Sequence, residues 1–112
     1  MKITSLECWP VTMRLQEPYT IAYEHVEETT NIFARVDTDA GVSGFGCAAP
    51  DEAVTGETAD SVLDTLPLAS RDVLRGRDPL RYAMLLETLA DALPDAPSAR
   101  AAIDMAIFDI VG

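Results

Sequence analysis

Basic and metal-ligating side chains are scarce in this chain. Among its 112 residues there is one lysine, Lys2, one histidine, His25, and two cysteines, Cys8 and Cys47. With no CxxC pair, the cysteines offer neither a disulfide framework nor a zinc site by spacing. Both are expected as small buried apolar side chains. A cysteine nucleophile needs a neighbouring base, for which His25 alone is present. Lys2 opens the first strand and is a poor candidate for a desolvated catalytic amine. No run approaches the roughly 18 apolar residues of a membrane span. The start, Met1-Lys-Ile-Thr-Ser-Leu-Glu7, lacks the basic stretch and apolar core of a secretory leader, so a cytoplasmic protein without a membrane partner is expected.

Positive charge is short overall, with 8 basic residues against 19 acidic ones and a net charge of -11. Such a surface repels phosphate backbones, which excludes nucleic acid as a partner and favours solubility. The acids themselves lack metal-site spacing. Asp51-Glu52 and Glu27-Glu28 are adjacent pairs, whereas a calcium loop spaces its oxygens around a glycine turn as Asp-x-Asp-x-Asp-Gly. Gly44 and Gly46 form a GxG pair, but Cys-Ala-Ala-Pro50 follows in place of a third glycine opening a helix, so no dinucleotide fingerprint is present.

What remains is the composition of one globular domain, 48% hydrophobic and 24% charged, of ordinary size. Its first half reads as strands. Val11, Met13 and Leu15 alternate with Thr12 and Arg14, and Ile32, Ala34 and Val36 alternate with Phe33, Arg35 and Asp37, each predicting one buried face. Asp39-Ala40-Gly41 supplies a turn, with Gly41 able to take a positive φ. A third strand over 42–48 should then pair antiparallel with the second. Gly44 and Gly46 inside it mark a bulge or a close approach by another backbone.

The second half reads as helices. Ala59, Val62, Leu63 and Leu66 recur at helical spacing, with Thr55 or Thr58 to cap the start and Pro67 to break the continuation. After a short apolar piece over 68–74 and a turn over 75–78, Asp78 and Pro79 start another helix. Its apolar stripe is Tyr82, Leu85, Leu86, Leu89 and Leu93. Pro94 and Pro97 bracket the next connection. The last helix, from about Ser98, has only Arg100, Asp104 and Asp109 as polar residues between Ala99 and Val111. A helix apolar on nearly all sides is normally buried all round, and a three-stranded sheet covers one face. The other side, where Ile103 and Ile107 are expected, calls for a following partner domain or for self-association into a homo-oligomer. The fold class is α+β, a three-stranded antiparallel meander followed by a helical bundle.

Three segments carry a family likeness: Pro18-Tyr-Thr-Ile-Ala-Tyr-Glu24, Gly41-Val-Ser-Gly-Phe-Gly46 and Val54-Thr-Gly-Glu-Thr58. With the closing helix they resemble, over essentially the whole chain, the N-terminal capping domain of the mandelate racemase/muconate-lactonizing branch of the enolase superfamily. Thr55-Gly56-Glu57-Thr58, set after Pro50, is most similar to the dipeptide epimerases. The resemblance makes residues 1–112 one capping domain whose helix over about 98–112 leads into a catalytic (β/α) barrel. That barrel needs roughly 250 residues and is absent here.

The resemblance further implies an isomerase whose Mg2+ is held by barrel carboxylates and stabilises an enolate, while paired barrel lysines exchange the proton next to a carboxylate. No catalytic residue and no metal ligand fall in this chain, which is therefore expected to be inactive alone. Its implied part is to close over the barrel mouth with two loops, residues 18–26 and 50–56, shaping substrate choice and excluding water. Tyr19, Tyr23, Glu24 and His25 in the first and Val54 and Thr55 in the second are the residues placed nearest a dipeptide or other small carboxylate substrate. Asp104 and Asp109 are assigned to helix packing or to the barrel contact.

Two departures qualify the likeness. Cys47 stands where many relatives carry Glu after the glycines. Glu24 stands where epimerases that prefer an acidic second residue carry Arg, which points away from Ala-Glu and towards small, apolar or cationic second residues. The other readings left open are the cap of a muconate cycloisomerase or another racemase of the superfamily, and a noncatalytic free-standing binding or assembly module.

Overall fold

The computed structural model describes residues 1–16, 26–50 and 56–112. Strands β1 (Ile3–Gln16), β2 (Val26–Thr38) and β3 (Ser43–Ala48) form one antiparallel sheet in the order β1-β2-β3. Helices α1 (Ala59–Ala69), α2 (Tyr82–Ala92) and α3 (Pro97–Val111) follow, giving the α+β arrangement expected. No described helix is long and apolar enough to cross a membrane.

The alternation read in the second strand holds. Ile32, Ala34 and Val36 are fully buried in the core, while Phe33, Arg35 and Asp37 take the opposite face. There Trp9 and Phe33 stack with ring centroids 6.3 Å apart, and Arg35 bridges Glu7 at 2.8 Å and Asp37 at 3.1 Å. The Ser43 hydroxyl, donating to Asp37 at 2.6 Å, is the main reason that the Asp37 carboxyl sits below its usual range. In β1 the expected parity is reversed at Val11. It pairs with Asn31 and stands half-buried on the outer face, while Leu6 and Cys8 pack on the core. β3 pairs only with Ile32 to Asp37 of β2. Farther out, β1 and β2 continue as a two-stranded ribbon to the Gln16–Val26 pair. Val26, assigned to the first loop from sequence, is thus the first residue of β2.

Gly41 turns the chain at φ 77° as expected, and β3 begins one residue later than predicted. Its two glycines are occupied by the close approach of a helix. A Cβ added at Gly44 would collide with the Ala106 carbonyl, and one at Gly46 with the Ala102 carbonyl.

In the helical half, Thr58 is the cap of α1. Its hydroxyl accepts from the Ser61 amide at 3.1 Å, and the Ser61 hydroxyl accepts from the Thr58 amide at 2.9 Å. Pro67 does not end this helix. The chain runs through it to Ala69 and on into a π-helical turn, Ser70–Leu74. The proline ring is exposed, while Val62, Leu66, Ala69, Val73 and Leu74 form one buried row. Burying each large member of that row contributes about 1.5–3 kcal/mol, which together outweighs the roughly 3 kcal/mol cost of a mid-helix proline. Asp78 caps the 3-10 turn Pro79–Arg81, accepting from Leu80 at 3.0 Å, and α2 follows with Leu85 and Leu89 buried.

Two substitutions test this packing by urea unfolding. Gly46→Ala should cost at least about 3 kcal/mol, because backbone, unlike a flexible side chain, cannot yield to the new methyl. Pro67→Ala should instead raise stability by about 1–2 kcal/mol, since it restores a helix amide on an exposed face. A neutral Gly46→Ala would show that α3 does not rest on β3 as described.

Candidate functional site

The side chains that resemblance places at the substrate, Tyr19, Tyr23, Glu24, His25, Val54 and Thr55, all lie outside the described residues. What the structure defines is their footing. The first segment is flanked by the paired ends of the ribbon, Gln16 and Val26. The second is flanked by Pro50 and by Gly56, whose φ of 76° favours glycine.

Glu57, the next residue, is 5% exposed. Its Oε1 accepts from the Ser98 amide at 2.8 Å and its Oε2 from the Ala99 amide at 3.2 Å. These are free amides of the first turn of α3, where the helix dipole favours an anion and the N-cap residue, Ala96, offers no side-chain oxygen. Glu57 belongs to the Thr-Gly-Glu-Thr segment, which by itself assigns this residue no role. The available clue was local: α3 opens as Ala96-Pro97-Ser98 without a capping side chain at Ala96, and so needs an acceptor from elsewhere in the chain.

The far end of α3 is held by a second carboxylate. Asp109 Oδ2 accepts from the Phe45 amide of β3 at 2.9 Å, which makes it a packing residue. Asp104 is half-buried, and burial raises its carboxyl above the usual range while the Arg100 charge pulls the other way. The uncovered side of α3 is not the one expected from sequence. Ile103 and Ile107 are fully buried with Ala99, Ala102 and Ala106 against the sheet layer, because the alanines let the helix lie close and carry both isoleucines inward. Exposed instead are Met105 at 50%, Phe108 at 51% and Val111 at 37%. Tyr82 tilts onto Phe108 with centroids 5.6 Å apart.

Other chemistry is sparse among the described residues. Cys8 and Cys47 are free and half-buried, not fully buried as expected, and burial pushes both thiols up, away from a reactive thiolate. No three His, Cys, Asp or Glu side chains among the described residues come together as a metal site, so a divalent ion has no ligand set in this part of the chain. An open hollow of about 330 Å3 lined by Gly76, Arg77, Asp78, Arg81, Met84 and Leu85 involves none of the residues assigned to substrate.

A sequence profile of the family described as "Mandelate racemase / muconate lactonizing enzyme, N-terminal domain" matches residues 3–112. The chain is 40% identical over 110 residues to the L-Lys-D/L-Arg epimerase of Desulforapulum autotrophicum, covering 98% of this chain and 31% of that protein. It is 32% identical over 112 residues to the N-succinyl-L-Arg/Lys racemase of Bacillus cereus, covering 100% of this chain and 30% of that protein. Among solved structures, the dipeptide epimerase from Methylococcus capsulatus complexed with Mg and dipeptide L-Arg-D-Lys has a TM-score of 0.85 at 39% identity, covering 99% of this chain and 31% of that one. The chain thus spans less than a third of the length of these relatives.

Two measurements check the site's frame. Ile107→Glu should unfold the chain, whereas Phe108→Glu should stay folded by circular dichroism and reduce self-association in sedimentation; equal behaviour would mean that α3 is rotated from the position described. Asp104→Asn should stabilise the chain at neutral pH. A carboxyl raised in the folded state loses stability as pH climbs from its unfolded value, near 3.9, through its folded one. The gain should therefore fade on acidification to below about pH 4, and a gain that persists there would rule out ionisation as its cause.

Proposed function

The chain belongs to the mandelate racemase/muconate lactonizing enzyme N-terminal domain family, and from that premise we propose that it is the substrate-specificity cap of a magnesium-dependent dipeptide epimerase. The observation that carries this reading is the match over residues 3–112 to an N-terminal domain, together with relatives that are dipeptide epimerases about three times as long. In this reading the proton-transfer lysines and the metal ligands belong to a C-terminal (β/α) barrel. Mg2+ in the Methylococcus capsulatus structure supports the same cofactor in the full-length parent.

The cap's own contribution is the wall of the pocket. Tyr19 and Val54 supply apolar surface, Tyr23, His25 and Thr55 line the same mouth, and Glu24 offers a carboxylate to a Lys or Arg side chain. A like charge beside an acidic substrate disfavours it, so the same glutamate rejects Ala-Glu. The epimerase names of the Desulforapulum and Methylococcus relatives, with Lys and Arg in their dipeptides, favour this cationic choice. The Bacillus cereus relative favours a second reading, a racemase of N-acylated cationic amino acids. There Glu24 would meet the same side chain.

The test fuses this chain to the C-terminal portion of the Methylococcus relative and follows α-proton exchange in D2O with Mg2+. Ala-Lys should exceed Ala-Glu in kcat/KM by at least about tenfold, equivalent to roughly 1.4 kcal/mol, and Glu24→Arg should reverse the order. The chain alone should show no exchange above background. Exchange by the isolated chain, or a fusion inactive on every dipeptide, would reject the cap reading, whereas unchanged ratios in Glu24→Arg would reject only the role of Glu24.

A further inference from the structure

We infer that the hollow at the start of α2 is a binding site for a small monocarboxylate carrying a short apolar group. The inference is independent of the cap reading, because none of the residues assigned to the dipeptide lines this hollow. Its volume of about 330 Å3 lies at the lower end of the roughly 300–1,000 Å3 of ligand pockets. Arg77, Asp78 and Arg81 bring charge to it, and Met84 and Leu85 an apolar side. Leu85 is 3% exposed and Met84 60%, so an apolar group meets a fixed floor and a flexible thioether able to fold over it.

The two arginines stand out from the rest of the chain. Acids outnumber bases 19 to 8, so a carboxylate is easily found: Arg35 bonds Glu7 at 2.8 Å and Arg71 bonds Asp72 at 2.9 Å. Arg77 and Arg81 make no ion pair among the described residues. With Arg71 and Arg75 they concentrate half of the chain's basic residues within positions 71–81. Asp78 shares the hollow, but its Oδ1 already accepts from the Leu80 amide at 3.0 Å as a cap. Two guanidinium charges thus face one carboxylate, a surplus of one. That surplus suits a monoanion, whereas a dianion such as phosphate sets its second charge against Asp78. A guanidinium fork also matches a carboxylate through two parallel N–H donors, and salt screens the chain's overall negative charge beyond about 10 Å. The backbone holds the lining in place. The Gly76 amide donates to Ile3 at 2.8 Å and the Ile3 amide to Arg77 at 2.7 Å, which ties the segment to the start of β1. The Arg77 amide donates to Leu74 at 3.0 Å and the Arg81 amide to Asp78 at 3.1 Å.

The experiment follows the amide resonances of the isotope-labelled chain as hexanoate, acetate or inorganic phosphate is added at neutral pH and constant ionic strength. Hexanoate should saturate with a Kd of about 1–10 mM, the weak range of exposed ion pairs in an open site, and should move the amides of Gly76, Arg77, Met84 and Leu85. Acetate and phosphate should each bind at least about fivefold more weakly, since one has few methylenes to bury and the other adds a charge. The double variant Arg77→Gln with Arg81→Gln should weaken hexanoate at least about tenfold. Arg71→Gln, which removes the same charge outside the hollow, should leave it unchanged. Met84→Ala should weaken hexanoate about threefold and acetate not at all, and it decides alone if the double variant does not fold. Shifts that grow without saturating, phosphate or acetate binding as tightly as hexanoate, equal losses in Arg71→Gln and the double variant, or a Met84→Ala without effect would overturn the site.

Discussion

Two glycines in β3 let the backbone of α3 come into direct contact with the sheet, and the rest of the helical layer is arranged around that approach. At Gly44 and Gly46 there is no room for a side chain beneath the carbonyls of Ala106 and Ala102. A helix this close needs small residues on its contact face, which Ala99, Ala102 and Ala106 provide, and it turns Ile103 and Ile107 into the core beside them. Its ends are then set by charge, with Glu57 at the first amides and Asp109 reaching the Phe45 amide of the edge strand. That last bond also occupies a donor that an open sheet edge would otherwise present to other chains.

Much of this was legible in the sequence where the signal is local. Alternation at Ile32, Ala34 and Val36, the Asp39-Ala40-Gly41 turn, the Asp78-Pro79 start and the low polarity of the last helix each depend on neighbours a few residues away. The glycines in the third strand even announced a backbone approach, although not which helix makes it. The failures have non-local causes. Pro67 reads as a breaker until the buried row from Val62 to Leu74 is seen to favour continuation. Val11 reads as inward-facing until the pairing with Asn31 fixes its parity. In an almost wholly apolar helix, periodicity cannot tell Ile107 from Phe108, and only the close seat on β3 decides between them.

The candidate site divides along the same line. Glu24 and its neighbours are assigned by resemblance alone and lie outside the described residues. The bonds of Glu57 are not legible in the sequence, because its partners Ser98 and Ala99 lie 41 and 42 residues away. A buried carboxylate and a helix without a side-chain cap are two separate local puzzles, and they become one explanation only in three dimensions.

This division suits a specificity cap. Loops that touch a substrate can vary in sequence if the elements that hold them do not, since selectivity then changes without loss of geometry. In this chain α3 is held by glycine contacts and by carboxylate bonds to backbone amides, and under the cap reading neither depends on which side chains the loops carry. Under the cap reading, Glu in the first loop in place of Arg would alter the charge offered to a substrate, while the bonds of α3 to β3 and to Glu57 involve neither residue type. The same scaffold can therefore serve relatives of different dipeptide preference. Under the cap reading, the exposed stripe of Met105, Phe108 and Val111 has a corresponding place: it is the apolar side of the one helix whose buried side is already fully used by the cap itself.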